Sequence, residues 1–179
     1  MSIDDASQQA RFCKLFYEPT RDEVLRSHTW NFAKQRQTLT KLSAAPAFGW
    51  SNAFQLPADF IREVRVNEWE SYQADDNWVI EGNQLLTDQD TIELLYIYRV
   101  VDSTLFDPLF VKAFSVLLAS ELVTTLTGSR EQGQAFLTEY QQILAPLAKR
   151  IDGMENHDKR KLPWVNSDLV NARFGFGSF

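Results

Sequence analysis

The stretch from Thr91 to Gly128, TIELLYIYRVVDSTLFDPLFVKAFSVLLASELVTTLTG, changes its apolar period halfway along, and that change decides the fold class. In its first part Ile92, Leu94, Tyr96 and Tyr98 alternate with Glu93, Leu95, Ile97 and Arg99, the two-residue period of a β-strand. After Asp102 the alternation stops. Asp107-Pro108 offers an N-cap followed by proline at the first helical position, and the apolar run that follows reaches Gly128, a residue suited to a helix C-terminus. The predicted helix is apolar nearly all round, so it is expected to be buried on nearly all faces, inside a bundle or under a neighbouring subunit. Strands followed by helices predict an α+β fold.

Working outward, Asn77 to Ile80 and Gln84 to Thr87 flank Glu81-Gly82-Asn83 and read as a hairpin, with Gly82 supplying the positive φ such turns need. IREVRVNEW (61–69) reads as a strand with one wet face, and AKQRQTLTKL (33–42) as a short strand. Between them FGWSNAFQLPADF (48–60) sets four aromatic rings on a segment with Gly, Pro and no period, and is read as a long loop. Residues 7–32 carry Ala10, Cys13, Tyr17, Val24, His28 and Phe32 in the stripe of an amphipathic helix. Pro19 interrupts it, and Thr20 with Glu23 can form a capping box, so the prediction is two helices or one kinked helix. On the other side Ser129 and Gln132 restart a helix through Ile151, kinked or reset at Pro146, with Phe136, Tyr140, Ile143, Leu144 and Leu147 on one face. The period then fails. The organisation expected is one domain over 1–153 with a β insertion at about 33–100, and an extended arm over 154–179. Its core is a helical bundle, made of the N-terminal helix or kinked pair and a C-terminal helical hairpin.

Composition narrows the function. With 179 residues, a formal net charge of −6 and a pI near 4.9, the chain suits one domain and argues against a protein whose main task is gripping DNA or an anionic membrane. The lone cysteine, Cys13, excludes an intramolecular disulfide and is read as a buried core thiol. No signal-peptide pattern is visible, and no uninterrupted apolar stretch approaches the roughly 20 residues of a bilayer span, so a soluble protein made in a reducing cytoplasm is expected. His28 and His157 have no partner at metal-ligand spacing and are read as structural. No glycine cradle for phosphates and no nucleophile elbow occurs, so no catalytic residue, cofactor or metal is assigned.

Four segments carry a resemblance. CKLFYEPTRDEVLRSHTWNFAKQR (13–36), APAFGWSNAFQLPADFIREVRV (45–66), WVIEGNQLLTD (78–88) and IYRVVDSTLFDPLFVKAFSVLLASELVTTLTGS (97–129) cover about two thirds of the chain, and their order resembles the tail tubular protein A family, the head-to-tail adaptors or gatekeepers of tailed bacteriophages. Relatives usually carry a further helix before the Asp-rich turn that here is Ile3-Asp4-Asp5. The resemblance implies a helical core with an inserted β region, and a ring, dodecameric in characterised relatives, below the portal. That ring continues the DNA channel, helps retain packaged DNA and offers a surface to downstream tail proteins. It implies a virion protein assembled in the host cytoplasm, with itself, the portal protein and tail proteins as partners, DNA only as passing cargo, and no membrane.

In such a ring the aromatic loop can be core at its base and an anchor between subunits at its tip, which makes Trp50, Phe54 and Phe60 candidate interface residues; the alternative is that all four rings fill their own subunit's core. The arm adds Lys159, Arg160, Lys161, Trp164, Phe174, Phe176 and Phe179 as candidates for docking on the portal or an adjacent subunit, the alternative being that it wraps back onto its own helices. A channel wall that lets DNA slide is expected to be acidic or neutral. A tail-associated cell-wall hydrolase working through an Asp/Glu pair is the alternative of the enzyme class, and a DNA-binding module using the basic tail is a third.

Overall fold

The computed structural model describes residues 7–67, 69–70 (backbone only) and 77–155. The fold is α+β, with helices at both ends of the described chain and two small antiparallel sheets between them. Helix α1 spans Gln8–Arg26, and Ser7 caps it by accepting from the Ala10 amide at 3.2 Å. Pro19 lies inside this single helix rather than dividing it. The carbonyl it deprives of a donor belongs to Leu15, and both residues are exposed, so water can replace the missing bond. The helix ends where the buried Trp30 donates its indole N–H to the Val24 carbonyl at 2.8 Å.

Strands β1 (Lys34–Thr38), β4 (Phe60–Val66), β5 (Trp69–Glu70) and β8 (Glu93–Tyr98) form the first sheet in the order β1-β8-β4-β5. Strands β2 (Thr40–Lys41), β3 (Asn52–Gln55), β6 (Trp78–Glu81) and β7 (Gln84–Thr87) form the second in the order β2-β3-β7-β6. The chain crosses from one sheet to the other at Leu39, whose amide donates to the Ile92 carbonyl between the short strands β1 and β2. The β6–β7 hairpin turns through Gly82 at φ 61°, as its sequence predicts. Part of the segment read as a loop is a strand: Asn52–Gln55 pairs with β7. NAFQ is too short to show a period, and three of its four residues are buried because β3 lies inside its sheet.

Two apolar clusters share the first sheet. Between the sheets lie Phe54, Leu56, Val66, Leu85, Ile92, Leu94 and Tyr96, and on the helical side Val24, Leu25, Trp30, Phe110, Phe114 and Leu117 meet Ile61 and Ile97. Strand β8 therefore buries both faces, which is why ELLYIY is apolar almost throughout.

Helix α2 (Pro108–Thr127) starts and stops as predicted, with the Asp107 carboxylate accepting from the amides of Leu109 and Phe110 and with Gly128 left-handed at φ 71°. Its burial differs from expectation. Only the face of Phe110, Ala113, Phe114, Leu117 and Ser120 is buried. By length and mean hydropathy the helix also passes as a membrane-spanning candidate, contrary to the sequence reading, because Lys112 and Glu121 interrupt the run without offsetting its apolar average. Its buried face is that of a core helix packed on α1.

The last helix is not continuous α-helix: α3 (Arg130–Glu139) passes through a π-helical turn at Tyr140–Leu144 into α4 (Ala145–Glu155). Pro146 follows that turn and offers no N–H to the Gln142 carbonyl, while the Ala145 amide reaches back five residues to Tyr140. The predicted single face is split as a result, with Tyr140 and Leu144 buried and Ile143 60% exposed. Cys13 is half-buried rather than a core thiol.

Candidate functional site

Of the aromatic segment, Phe54 is 1% exposed and belongs to the protein's own core, so as a member of the candidate interface it is corrected. Phe60 is partly buried, with its ring stacked on Tyr96 at 5.9 Å between centroids, and it too serves the intersheet packing. Trp50 is half-buried. The ring that reaches solvent is Phe48, 88% exposed and followed by Gly49 at φ 86°. The base of the segment is tied down by the Ser51 amide donating to Asp88 at 2.8 Å and by the buried Asn52 donating to the Gln89 carbonyl at 2.9 Å. Hydrogen bonding from the Ser51 side chain, and then from its amide, holds the Asp88 carboxyl below its ordinary value. The remaining candidates, Lys159, Arg160, Lys161, Trp164, Phe174, Phe176 and Phe179, lie outside the described residues.

Among the described residues the outer side of α2 carries a line of apolar side chains. At 100° per residue Val111, Leu122 and Leu126 fall on one stripe, away from the buried row of Phe110, Ala113, Phe114 and Leu117, while Leu118 at its edge packs against the helical cluster. Val111 and Leu126 are 39% and 40% exposed, and Leu118 and Leu122 are half-buried. The N-terminal half of α1 repeats the pattern, with Leu15 62% exposed between the half-buried Phe12 and Phe16. Sequence reasoning recognised α2 as apolar on every side but assigned it to the interior. The signal for a second, uncovered stripe was its own length of 20 residues, more than one small bundle face can cover.

Polar bonds fix how the helices sit on the first sheet. The buried Asp152 of α4 accepts from the Asn31 amide at 2.9 Å and pairs with His28 Nε2 at 3.0 Å, while the Asn31 side chain donates to the Asp152 carbonyl at 2.7 Å. Burial lowers the His28 pKa, with Asp152 opposing it and Lys149 and Lys34 adding to it. The pair has the look of a catalytic dyad, yet both carboxylate oxygens are already engaged in joining α4 to the end of α1. Arg21, 2% exposed, is neutralised by Asp22, whose other oxygen accepts from Arg99 Nε at 2.7 Å. Arg26 donates to the Ile61 carbonyl and Arg62 to the Arg26 carbonyl, tying α1 to β4. Burial and then Asp59 raise the Tyr96 phenol well above the usual tyrosine value, and its hydroxyl donates to Asp59 at 3.1 Å. Among the described residues no group of three His, Cys, Asp or Glu side chains is placed to hold a metal ion.

No family model matches the chain, and no curated protein matches it.

Proposed function

We propose that this protein is a structural head-to-tail connector of a tailed bacteriophage, which forms a ring below the portal, continues the DNA channel and presents a surface for tail attachment. The observation that carries the assembly part is the outer apolar stripe of Val111, Leu122 and Leu126 on α2, because an apolar helix face of this length gains by leaving water. A closed ring is built from heterologous contacts, which require two different patches on each subunit. The outward residues Phe12, Leu15 and Phe16 of α1 supply a second patch. The α+β fold, with helices packed on one of two small sheets, agrees with what the resemblance of the four segments leads one to expect.

The test is mass measurement of the purified protein alone and mixed with its portal. Complexes containing several copies on the portal are expected. A protein that stays monomeric in both samples up to high concentration overturns the proposal.

A further inference from the structure

Two strands, β1 and β4 on either side of β8, place basic residues on one face of the first sheet. Residues opposite each other in an antiparallel ladder share a face, so the pairs Lys34 with Ile97, Arg36 with Leu95 and Thr38 with Glu93 bring Lys34 and Arg36 to the same side of β1. On β4, Arg62 stands opposite Ile97 and Arg65 opposite Leu95, with irregularities in the register that keep both on that face. Lys34 and Arg36 are thus about 6.7 Å apart along their strand, and β1 and β4 are about 9.6 Å apart across β8. Lys149 of α4 adjoins this group: burial and then the Arg62 charge hold its ammonium below the ordinary lysine value. Among the described residues none of Arg36, Arg62, Arg65 and Lys149 forms an ion pair. Arg36 and Arg65 line an open depression with Gln37, Thr38 and Asn67, and Glu93 closes it at one end.

The chemistry of the strip selects its occupant. A protein partner needs an apolar or aromatic centre to bury, and of the apolar residues along the strip Ile97 and Val64 are taken up by the protein's own helical cluster, which leaves the half-buried Leu95. Single-stranded nucleic acid needs rings on which bases stack, and the sheet's stacked pair, Phe60 and Tyr96, belongs to the core on the opposite face. A row of cations with neutral amide and hydroxyl donors matches a polyanion that offers only its phosphates. We propose that the face bearing Arg36, Arg62, Arg65 and Lys149 binds the backbone of double-stranded nucleic acid without reading its sequence. The net charge of −6 does not reveal this strip, on whose face Glu93 stands opposite Thr38 and Glu70 opposite Arg65 in the ladder. The inference runs against the expectation of DNA only as passing cargo along an acidic or neutral wall; it does not depend on ring assembly, and its readout is different.

The test is fluorescence anisotropy with a labelled 25-base-pair duplex at 50, 100 and 200 mM salt, with a single strand of the same length and polyglutamate as competitors. Four phosphate contacts give a slope of log affinity on log salt near −3.6, a loss of about 10²-fold over that range. Arg36→Gln combined with Arg65→Gln is expected to reduce the slope to about −1.8. Arg36→Gln alone, at an exposed position, should reduce it by about 0.9 and serves if the double variant melts early. Absence of duplex binding at 50 mM salt, a slope unchanged by the substitutions, or preferential displacement by polyglutamate or the single strand each overturns the proposal.

Discussion

Aspartate at Leu117 and aspartate at Leu122 differ by five positions on one helix and should act on different equilibria. Leu117 is 3% exposed, within the cluster that joins α2 to α1 and the first sheet. Removing its side chain costs about 2–5 kcal/mol in lost burial and cavity. The new carboxyl must then either ionise without a partner or stay protonated through a pKa rise of about 3–5 units, a further 4–7 kcal/mol. Together these approach or exceed the whole stability of a domain, about 5–15 kcal/mol. Leu122 is half-buried on the opposite side of the helix, where an aspartate keeps its water, so Leu122→Asp should cost the fold no more than about 1–2 kcal/mol. In a contact between copies the same carboxylate is desolvated without a partner, and a loss of 2 kcal/mol or more weakens each contact about 30-fold. Urea unfolding and concentration-dependent mass measurement separate the two effects. Leu117→Asp should give little folded protein, and Leu122→Asp a folded protein that no longer associates. A native melt for Leu117→Asp means that the buried face of α2 is wrongly assigned. Unchanged association of Leu122→Asp refutes the outer stripe as an assembly surface.

Two further outcomes follow from close contacts elsewhere. An alanine at Gly133 would drive its methyl group into the Thr124 hydroxyl and to 3.2 Å from the Ser120 carbonyl, so Gly133→Ala should lose about 1–3 kcal/mol to overpacking against about 1 gained in helix propensity. In a Thr124→Ala background the same change should become neutral or stabilising, and a double-mutant cycle by urea unfolding that shows no coupling would falsify the close α2–α3 approach. Because burial lowers the folded pKa of His28 below 6.5, the unfolded chain binds more protons as pH falls through that value, and stability should decline from pH 7 toward pH 5. His28→Asn should flatten that decline, and equal slopes in urea unfolding for the two proteins would refute the assignment.

The readable part of the fold was local chemistry. Asp107-Pro108, Gly128 and the Gly82 turn each solve a backbone problem within a few residues, and the sequence showed all three. Strand β3 was missed because NAFQ owes its strand conformation to Leu85 and Leu86 on its partner, not to any pattern of its own. For the same reason Phe54, within one apolar cluster of sequence, was placed at a tip when long-range pairing draws it into the core. The cationic strip was hidden in a different way: Lys34 and Arg36 precede Arg62 and Arg65 by almost thirty residues, and only β8 between their strands makes them neighbours. Helix α2 was legible in extent but not in environment, since an all-round apolar pattern names no face.

The π-turn shows how one local irregularity reaches the proposed binding face. Tyr140, Leu144, Ala148 and Asp152 are all buried, at 8%, 5%, 2% and 7% exposure, and they are spaced at intervals of four. In an uninterrupted α-helix each such step drifts about 40°, so the row would turn about 120° away from the core between the first member and the last. Five residues in the wider turn take about 90° less rotation than five in α-helix, and that absorbs most of the drift. Pro146 favours this solution because it cannot supply the amide that would close the α-helical bond to Gln142. The correction keeps Asp152 directed at His28 and the Asn31 amide, and those bonds in turn hold α4 against the start of the first sheet. Lys149, one turn earlier on the same helix, is thereby brought close enough to Arg62 for each charge to feel the other. The turn beside Pro146 thus keeps α4 in the register that places Lys149 within reach of the Arg62 charge.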